Sequence, residues 1–150
     1  MVKRVSKRGD ECPVARSLDV IGDWWSLLII RDAFDGSRRF GEFQAGLGIA
    51  KGMLAARLRT LVAAGVMETV PASDGSAYLE YALTGRGGDL FQVVVALRQW
   101  GEAHLFSTGE PRSELLDKEA ARPLAKMEVR ASDERAVGYQ ETFVRKSLSS

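Results

Sequence analysis

Apolar residues near the start of the chain recur with the period of an α-helix. Between Val14 and Ile29 they return at intervals of mostly three or four residues, and Gly22-Asp23 interrupts the pattern. Pro13 precedes it, and proline is favoured in the first turn of a helix, where its missing N–H leaves no hydrogen bond unmade. These features predict one helix from Pro13 to the glycine and a second, more buried helix that ends near Asp35-Gly36.

Two more helices, one short and one longer, are predicted before Gly65. The short helix spans Phe40 to about Ala45, and glycines at positions 46 and 48 end it. The longer helix spans residues 50–64 and stops at Gly65, because glycine is common just after a helix. One face of this helix is apolar and carries Leu54, Leu58, Leu61 and Val62, whereas the opposite face holds small and basic residues.

After Gly65 the apolar pattern changes from the helical period to that of strands. Residues 66–70 and 78–83 are strand-like, and the segment between them contains Asp74-Gly75, a strong hairpin signal. Thr84 is suited to cap a following helix, which is predicted from about Arg86 to Phe106. The apolar stripe of that helix comprises Leu90, Val94, Leu97, Gly101 and Leu105.

The chain beyond Phe106 is poor in apolar residues up to Pro123 and then alternates partially on both sides of residues 131–134. We interpret this alternation as a weak second β-hairpin. The expected organisation is a basic N-terminal arm over residues 1–11, a folded domain over residues 12–106 and a C-terminal extension over residues 107–150. The expected fold class is mainly α with a small β wing (α+β).

The positive charge of the chain is concentrated in its first half. The whole protein carries a net charge of only +1, but residues 1–65 carry +4 and residues 66–150 carry −3. Between Gly36 and Gly65 there are five basic residues and one acidic residue. Since charges act mainly within about 10 Å at ordinary salt, this local excess makes the first half the candidate surface for contact with phosphates.

The composition excludes several functional classes. The single cysteine and the single histidine leave no basis for a disulfide framework or for a zinc site built from several such ligands, so no metal and no cofactor is expected. We find no phosphate-binding loop and no paired acid–base group, and we therefore expect no enzyme. No apolar run is long enough for a membrane span, and the start lacks a signal peptide, so the expected location is the cytoplasm.

The order of predicted elements is that of a winged helix-turn-helix. A short helix is followed by a longer helix, and the longer helix leads into a two-stranded wing and then another helix. In such modules the longer helix enters the major groove of DNA, while other segments contact phosphates. The order therefore predicts a protein that binds double-stranded DNA.

The segment from Cys12 to Phe106 resembles the HxlR-type family of winged helix-turn-helix transcriptional regulators, and it covers about two thirds of the chain. The resemblance depends on the order and spacing of short motifs, each of which is weak alone. These are Cys12-Pro13-Val14, Ile21-Gly22-Asp23-Trp24-Trp25-Ser26-Leu27-Leu28-Ile29, Arg38-Arg39-Phe40-Gly41-Glu42-Phe43, Gly48-Ile49-Ala50, Leu54-Ala55-Ala56-Arg57-Leu58, Ala64-Gly65-Val66, Glu80-Tyr81-Ala82-Leu83-Thr84 and Gln99-Trp100-Gly101-Glu102.

This resemblance implies a homodimer in which the first and last helices of the domain pack across a two-fold axis. It also implies a pseudo-palindromic promoter site as the DNA partner, and we expect a bacterial repressor that binds this site. The interface residues expected on this basis are Val14, Leu18, Leu90, Val94, Leu97, Trp100, Gly101 and Leu105.

Candidate DNA contacts come from three segments. The longer helix offers Lys51, Gly52, Met53, Ala56, Arg57 and Arg59; the residues before the short helix are Arg38 and Arg39; and the second wing strand offers Tyr78. Family members commonly carry an arginine where this chain has Tyr78, and a tyrosine reaches sugar or phosphate at most. With few base-reading side chains on the helix, we expect modest direct readout and more reliance on DNA backbone and shape.

Two questions stay open at this point. Some family members respond to oxidants or electrophiles through a cysteine at the position of Cys12, so the resemblance implies a redox sensor, whereas a free cysteine is often only a buried packing residue. The start of a helix favours a reactive thiolate, while Asp10 and Glu11 oppose it. A small-molecule effector is a further alternative. The alternative function is a winged-helix module that binds protein without specific DNA binding.

Overall fold

The computed structural model describes residues 5–148, so the first four residues of the expected N-terminal arm lie outside it. The chain divides between Val94 and Val95 into two compact units. Within residues 5–148, no helix has both the length and the apolar composition that crossing a membrane requires.

The first unit contains the predicted series of helices and the predicted wing, and the winged helix-turn-helix order is confirmed. Its strands form one two-stranded antiparallel sheet, in which Met67 pairs with Leu83 and Pro71 with Leu79. The elements are α1 (Pro13–Ile21), α2 (Trp24–Phe34), α3 (Phe40–Leu47), α4 (Lys51–Ala63), β1 (Met67–Pro71), β2 (Leu79–Leu83), α5 (Gly85–Gly88) and the start of α6 (Phe91–His104).

Local sequence explains where several of these helices begin and end. Asp23 caps α2, because its carboxylate accepts hydrogen bonds from the backbone N–H groups of Trp25 and Ser26, each at 3.0 Å. Gly48 and Gly65 follow α3 and α4 with φ of +64° and +75°, a left-handed conformation that only glycine adopts without strain.

The core of the first unit lies between α2, α3, α4 and the wing. Ten buried apolar residues form one cluster: Ile21, Ile29, Ile30, Phe43, Ile49, Leu54, Leu58, Leu61, Val66 and Met67. The predicted apolar face of the longer helix is the face that points into this cluster. Leu90 and Val94, which were expected at a dimer interface, pack against the same cluster.

The helix predicted from Arg86 to Phe106 is wrong as a single element, since α5 ends at Gly88 and α6 begins at Phe91. Tertiary contacts fix the short helix in place. The Thr84 backbone N–H donates to the carbonyl of Val66 (3.1 Å), and the Arg86 guanidinium donates to the carbonyl of Ala64 at the end of α4 (2.9 Å). Three of the four residues of α5 are glycine, which weakens any tendency to continue as one helix.

The second unit consists of most of α6 and the C-terminal extension. The Gln99 side chain holds the extension by donating to the carbonyl of Ala125 (3.0 Å) and accepting from the backbone N–H of Met127 (2.7 Å). Arg98 donates to the carbonyl of Ser113 at 3.2 Å. The first part of the extension is thus tied to one side of α6 by polar contacts.

The predicted second hairpin is reduced to a single turn. Arg130 and Ala136 form one antiparallel bridge around residues 131–134, and the Val137 N–H donates to the carbonyl of Val129 at 2.9 Å. Within residues 107–148 the one regular element is a short 3-10 helix at Tyr139–Glu141. The turn stands where the alternation placed it, but no two-stranded ladder extends from it.

Candidate nucleic-acid interface

The exposed side of α4 carries the larger group of predicted DNA contacts. Lys51, Gly52 and Met53 are exposed in its first turn, and Arg59 is exposed further along. The side chains of Lys51 and Arg59 form no hydrogen bond or ion pair with any other residue between positions 5 and 148. Ala56 lies between Met53 and Arg59 on this helix; it is half-buried, and its side chain is small. The face is therefore small, partly apolar and positively charged.

Arg57 lies on the flank of α4, where Asp23 restrains it. Its Nε is 3.3 Å from Oδ2 of Asp23, although the geometry of that contact is not that of a hydrogen bond. The side chain is still 32% exposed. The contact therefore links α4 to the N-cap of α2, while part of the Arg57 side chain stays exposed.

Asp23 itself remains charged in the folded protein. Burial works against the charged form, but hydrogen bonds from the hydroxyl and backbone N–H of Ser26, together with the charge of Arg57, lower the pKa of Asp23 below its usual value. The Ser26 side chain is fully buried, so the cap lies at the edge of the core.

A buried carboxylate joins the wing to the segment before α3. Glu80 is only 2% exposed, and its oxygens accept from Nε of Arg38 (2.6 Å) and from the backbone N–H of Ser73 (2.9 Å). The backbone reinforces the connection, because the Tyr81 N–H donates to the Arg38 carbonyl at 2.7 Å. The Ser73 N–H and the Arg38 guanidinium both stabilise the charged form, so the pKa of Glu80 lies below its usual value.

Arg39 is the N-cap residue of α3 and contacts the turn of the wing. Its guanidinium donates to Oδ2 of Asp74, and its Nε lies 3.9 Å from Oε1 of Glu80. The ring of Tyr78 is close by, with its centroid 6.0 Å from Cζ of Arg39. Tyr78 is exposed, and the cation that its ring contacts is an arginine of its own chain.

The structure thus sorts the predicted DNA contacts into two groups. Arg38, Arg39 and Tyr78 meet at the wing, where carboxylates of the same chain already bind both arginines. The residues of α4 form the other group, and among them Lys51 and Arg59 are unpaired within positions 5–148. Three of the five basic residues between Gly36 and Gly65 are therefore neutralised locally.

Sequence reasoning missed the three acidic partners of these arginines, Asp23, Asp74 and Glu80. Asp23 stands directly before an apolar helix, which is a typical capping position, and Asp74 precedes a glycine in a turn. Glu80 has no comparable signal, because alternation in a strand would bury Leu79 and expose the glutamate. The structure does the opposite: Leu79 is 59% exposed.

The other candidate residues lie away from this surface. Cys12 is half-buried at the N-cap of α1, and its N–H donates to Oδ1 of Asp10 at 2.8 Å. Val14 and Leu18 are exposed on α1, and Leu97, Trp100 and Leu105 are exposed on or just after α6, where Gly101 is half-buried. Among residues 5–148, no group of three or more His, Cys, Asp or Glu side chains is placed to hold a metal ion.

These elements define a winged helix-turn-helix protein, a class in which DNA-binding regulators are common. The chain belongs to the HxlR-like helix-turn-helix family, whose model matches residues 20–108. The family resemblance of the sequence is confirmed.

Relatives of known sequence support the same class. Rv3095 from Mycobacterium tuberculosis, described as an uncharacterized HTH-type transcriptional regulator, is 44% identical over 104 residues, which are 69% of this chain and 66% of that protein. This chain thus aligns with slightly less than two thirds of that regulator. YybR from Bacillus subtilis, with the same description, is 33% identical over 68% of this chain and 82% of its own length. The relatives are described as regulators and not as enzymes.

Solved structures extend the similarity beyond the family domain. PA1607, a candidate transcription factor, is 50% identical with a TM-score of 0.90, and the match covers 95% of this chain and all of that one (100%). The reduced form of HypR, described as a redox regulator, is 34% identical with a TM-score of 0.55 over 63% of this chain and 94% of its own. The C-terminal extension therefore has a counterpart in PA1607.

Proposed function

We propose that this protein is a sequence-specific repressor that binds a pseudo-palindromic promoter site as a homodimer. The observation that carries the proposal is the exposed face of α4, on which Lys51 and Arg59 remain unpaired within positions 5–148 while the opposite face forms the core. A helix held in this way presents side chains to the major groove, and cations on it are suited to guanine or phosphate. A repressor of this kind acts on the chromosome, and so in the bacterial cytoplasm.

The proposed reading of the site combines two kinds of contact. Lys51, Arg57 and Arg59 supply charge, while Gly52, Met53 and Ala56 allow close approach and apolar contact with thymine methyl groups. Arg38, Arg39 and Tyr78 contribute contacts to the DNA backbone near the wing. Such a surface gives modest direct base readout, so DNA shape supplies part of the specificity.

The proposed dimer is supported by apolar side chains that are exposed to solvent in the single chain and that a partner subunit would bury. Val14 and Leu18 are exposed on α1, and Leu97, Trp100 and Leu105 are exposed on or next to α6. Leu90 and Val94 pack against the core cluster of the first unit, so they are not part of this exposed set. Gly101 adds no side chain where a partner helix would approach.

We also propose Cys12 as the place where an oxidant or electrophile acts. The half-buried thiol stands at the N-cap of α1, the helix that carries the exposed Val14 and Leu18. A change at this thiol therefore lies next to the proposed dimer interface. The similarity to HypR is consistent with this proposal.

The test is binding to DNA from both sides of the protein's own gene. We expect protection of one site with two related half-sites, and an affinity that falls steeply as salt rises because several phosphates are neutralised. The control is a duplex of the same length and base composition in scrambled order. Equal binding to both duplexes, or none to either, would instead favour a winged-helix module that binds protein.

A further inference from the structure

The ion pair between Arg39 and Asp74 joins two parts of the site that DNA would approach. Arg39 is at the N-cap of α3, and Asp74 is in the turn of the wing, 35 residues further along the chain. Both side chains are accessible, at 37% and 53% exposure. An anion from solution can therefore reach the guanidinium where the Asp74 carboxylate now binds it.

Asp74 has two separate tasks, one for each oxygen. Its Oδ1 accepts from the backbone N–H of Ser76 at 2.9 Å and so closes the turn, while its Oδ2 accepts from Arg39. The Ser76 N–H and the Arg39 guanidinium hold the pKa of Asp74 well below its usual range. The carboxylate is therefore charged at neutral pH, and it places a negative charge at the tip of the wing.

The wing does not need Arg39 to stay in place. Glu80, the buried anchor of the wing, is already bound by Arg38 and Ser73, and its oxygen is 3.9 Å from Arg39. The Tyr78 ring also lies beside Arg39, with its centroid 6.0 Å from Cζ, and Arg39 itself is fixed at the N-cap of α3. The contact of Asp74 Oδ2 with Arg39 is therefore one of several between α3 and the wing, and its main effect is to neutralise Arg39.

An arginine at this position is well placed for the DNA backbone. The first helix of a helix-turn-helix crosses the DNA backbone. At the start of α3 the Glu42 carboxylate already accepts from the N–H groups of Arg38 and Arg39, so the Arg39 guanidinium is the group left to meet a phosphate. Arginine binds phosphate through two parallel hydrogen bonds, whereas an exposed pair with aspartate contributes little to stability. An exchange of one anion for the other is therefore favourable near DNA.

We infer that Asp74 occupies the phosphate-binding position of Arg39 in the free protein and gives way to a DNA phosphate on binding. Asp74 thus lowers the affinity for any duplex, specific or not, and makes DNA binding of this regulator weaker than its cations allow. This inference rests on the DNA-binding part of the proposed function, because it requires the α3–wing surface to face DNA.

The experiment measures binding to a random-sequence duplex and to the protein's own promoter at several salt concentrations. Asp74→Asn removes the charge and keeps an oxygen for the Ser76 N–H; Asp74→Ser is a second charge-free variant that also retains an acceptor. We expect either variant to bind both duplexes about two- to fivefold more tightly per protomer. The matched control is Asp133→Asn, because Asp133 is also exposed and pairs with an arginine, Arg135, in the extension. The affinity of this control variant for both duplexes should equal that of the wild type.

The role of Arg39 is tested in the same series. Arg39→Gln should weaken binding and lower the slope of log affinity against log salt by about 0.9 per protomer, the value for one lost phosphate contact. Asp74→Asn added to Arg39→Gln should lose most of its gain. Circular dichroism and thermal unfolding establish that each variant is folded.

The outcomes separate this inference from the proposed function. If wild type prefers its promoter but folded Asp74 variants bind like wild type, the inference is overturned and the function stands. A gain that persists in full without Arg39, or an unchanged salt slope in Arg39→Gln, also overturns it. If the Asp74 variants bind random duplex more tightly but no promoter preference exists, the inference holds and the sequence-specific function fails. Absence of duplex binding by every protein overturns both.

Discussion

Asp23 serves two elements, since it caps α2 and pairs with Arg57 of α4. Asp23→Ala should lower the free energy of unfolding by about 0.5–2 kcal/mol, the usual effect of losing an N-cap, because the N–H groups of Trp25 and Ser26 lose their acceptor. Asp23→Asn is the matched control, and its loss should be smaller because the amide oxygen still accepts. Urea unfolding monitored by circular dichroism measures both, and equal losses would contradict the capping role.

The pH dependence of the Asp23 contribution follows from the direction of its pKa shift. The folded protein holds the pKa of Asp23 below the ordinary value of 3.8. As the pH falls, the Asp23 carboxylate is therefore protonated in the unfolded state before it is protonated in the folded state. The stability difference between wild type and Asp23→Ala should therefore be complete above about pH 4 and shrink as the pH falls through the lower, folded pKa. A difference that grew on acidification would have the wrong sign.

Arg57 has a structural partner and a proposed DNA contact, and the two roles make different predictions. Arg57→Ala should reduce promoter affinity by about 1–3 kcal/mol if the guanidinium binds one base, with relaxed preference at one base pair per half-site. An even loss on all sequences indicates phosphate contact instead. Unchanged binding by the folded variant would assign Arg57 to the Asp23 contact alone.

Cys12 is the residue at which the sensor proposal is decided. Diamide should change the promoter affinity of the wild type and leave Cys12→Ser unaffected. Non-reducing electrophoresis separates a crosslink between two subunits from an adduct, and a crosslink requires Cα atoms within about 7 Å across the dimer. If diamide leaves wild-type binding unchanged, the thiol is a packing residue.

At the scale of the elements, the junction between the wing and α5 depends on a close backbone approach. A Cβ on Gly87 would lie 2.1 Å from the carbonyl oxygen of Val66, a distance that requires the backbone to move. Gly87→Ala should therefore cost about 1–3 kcal/mol of stability. Gly88→Ala is the control, since nothing lies within 4 Å of its added Cβ, and it should be neutral or slightly stabilising. Similar unfolding curves for both variants would contradict the close approach.

The same junction explains why one predicted helix is two. The apolar stripe from Leu90 to Leu105 is continuous in the sequence, and periodicity alone extends it back to Arg86. The contacts of Thr84 with Val66 and of Arg86 with Ala64 fix α5 against the segment that joins α4 to β1 instead. The break therefore depends on partners about twenty residues away, which a local pattern does not report.

At the scale of the whole molecule, the proposed dimer predicts a defined effect of charge on α6. Leu97 is 52% exposed, and Leu97→Glu would place a charge in the interface, which should weaken association at least about tenfold. Leu79→Glu is the matched control, because this leucine is 59% exposed but lies on the wing. Analytical ultracentrifugation at micromolar concentration should show monomer for Leu97→Glu and dimer for the control. A monomeric wild type would contradict the proposed dimer.

The sequence by itself determined the elements whose causes are local. Helical periodicity, the glycines after α3 and α4 and the Asp-Gly turn predicted the winged helix-turn-helix, because each depends on residues within a turn or two. The exposed face of α4 was predictable for the same reason.

Only the tertiary structure decided which of the basic residues remain unpaired. Arg38 meets Glu80 across 42 residues and Arg39 meets Asp74 across 35, so composition counted both as free charge although carboxylates bind them. The burial of Glu80 and the exposure of Leu79 were decided in the same way. An ion pair depends on where two distant segments come together in space, and the spacing of residues along one chain does not encode that position.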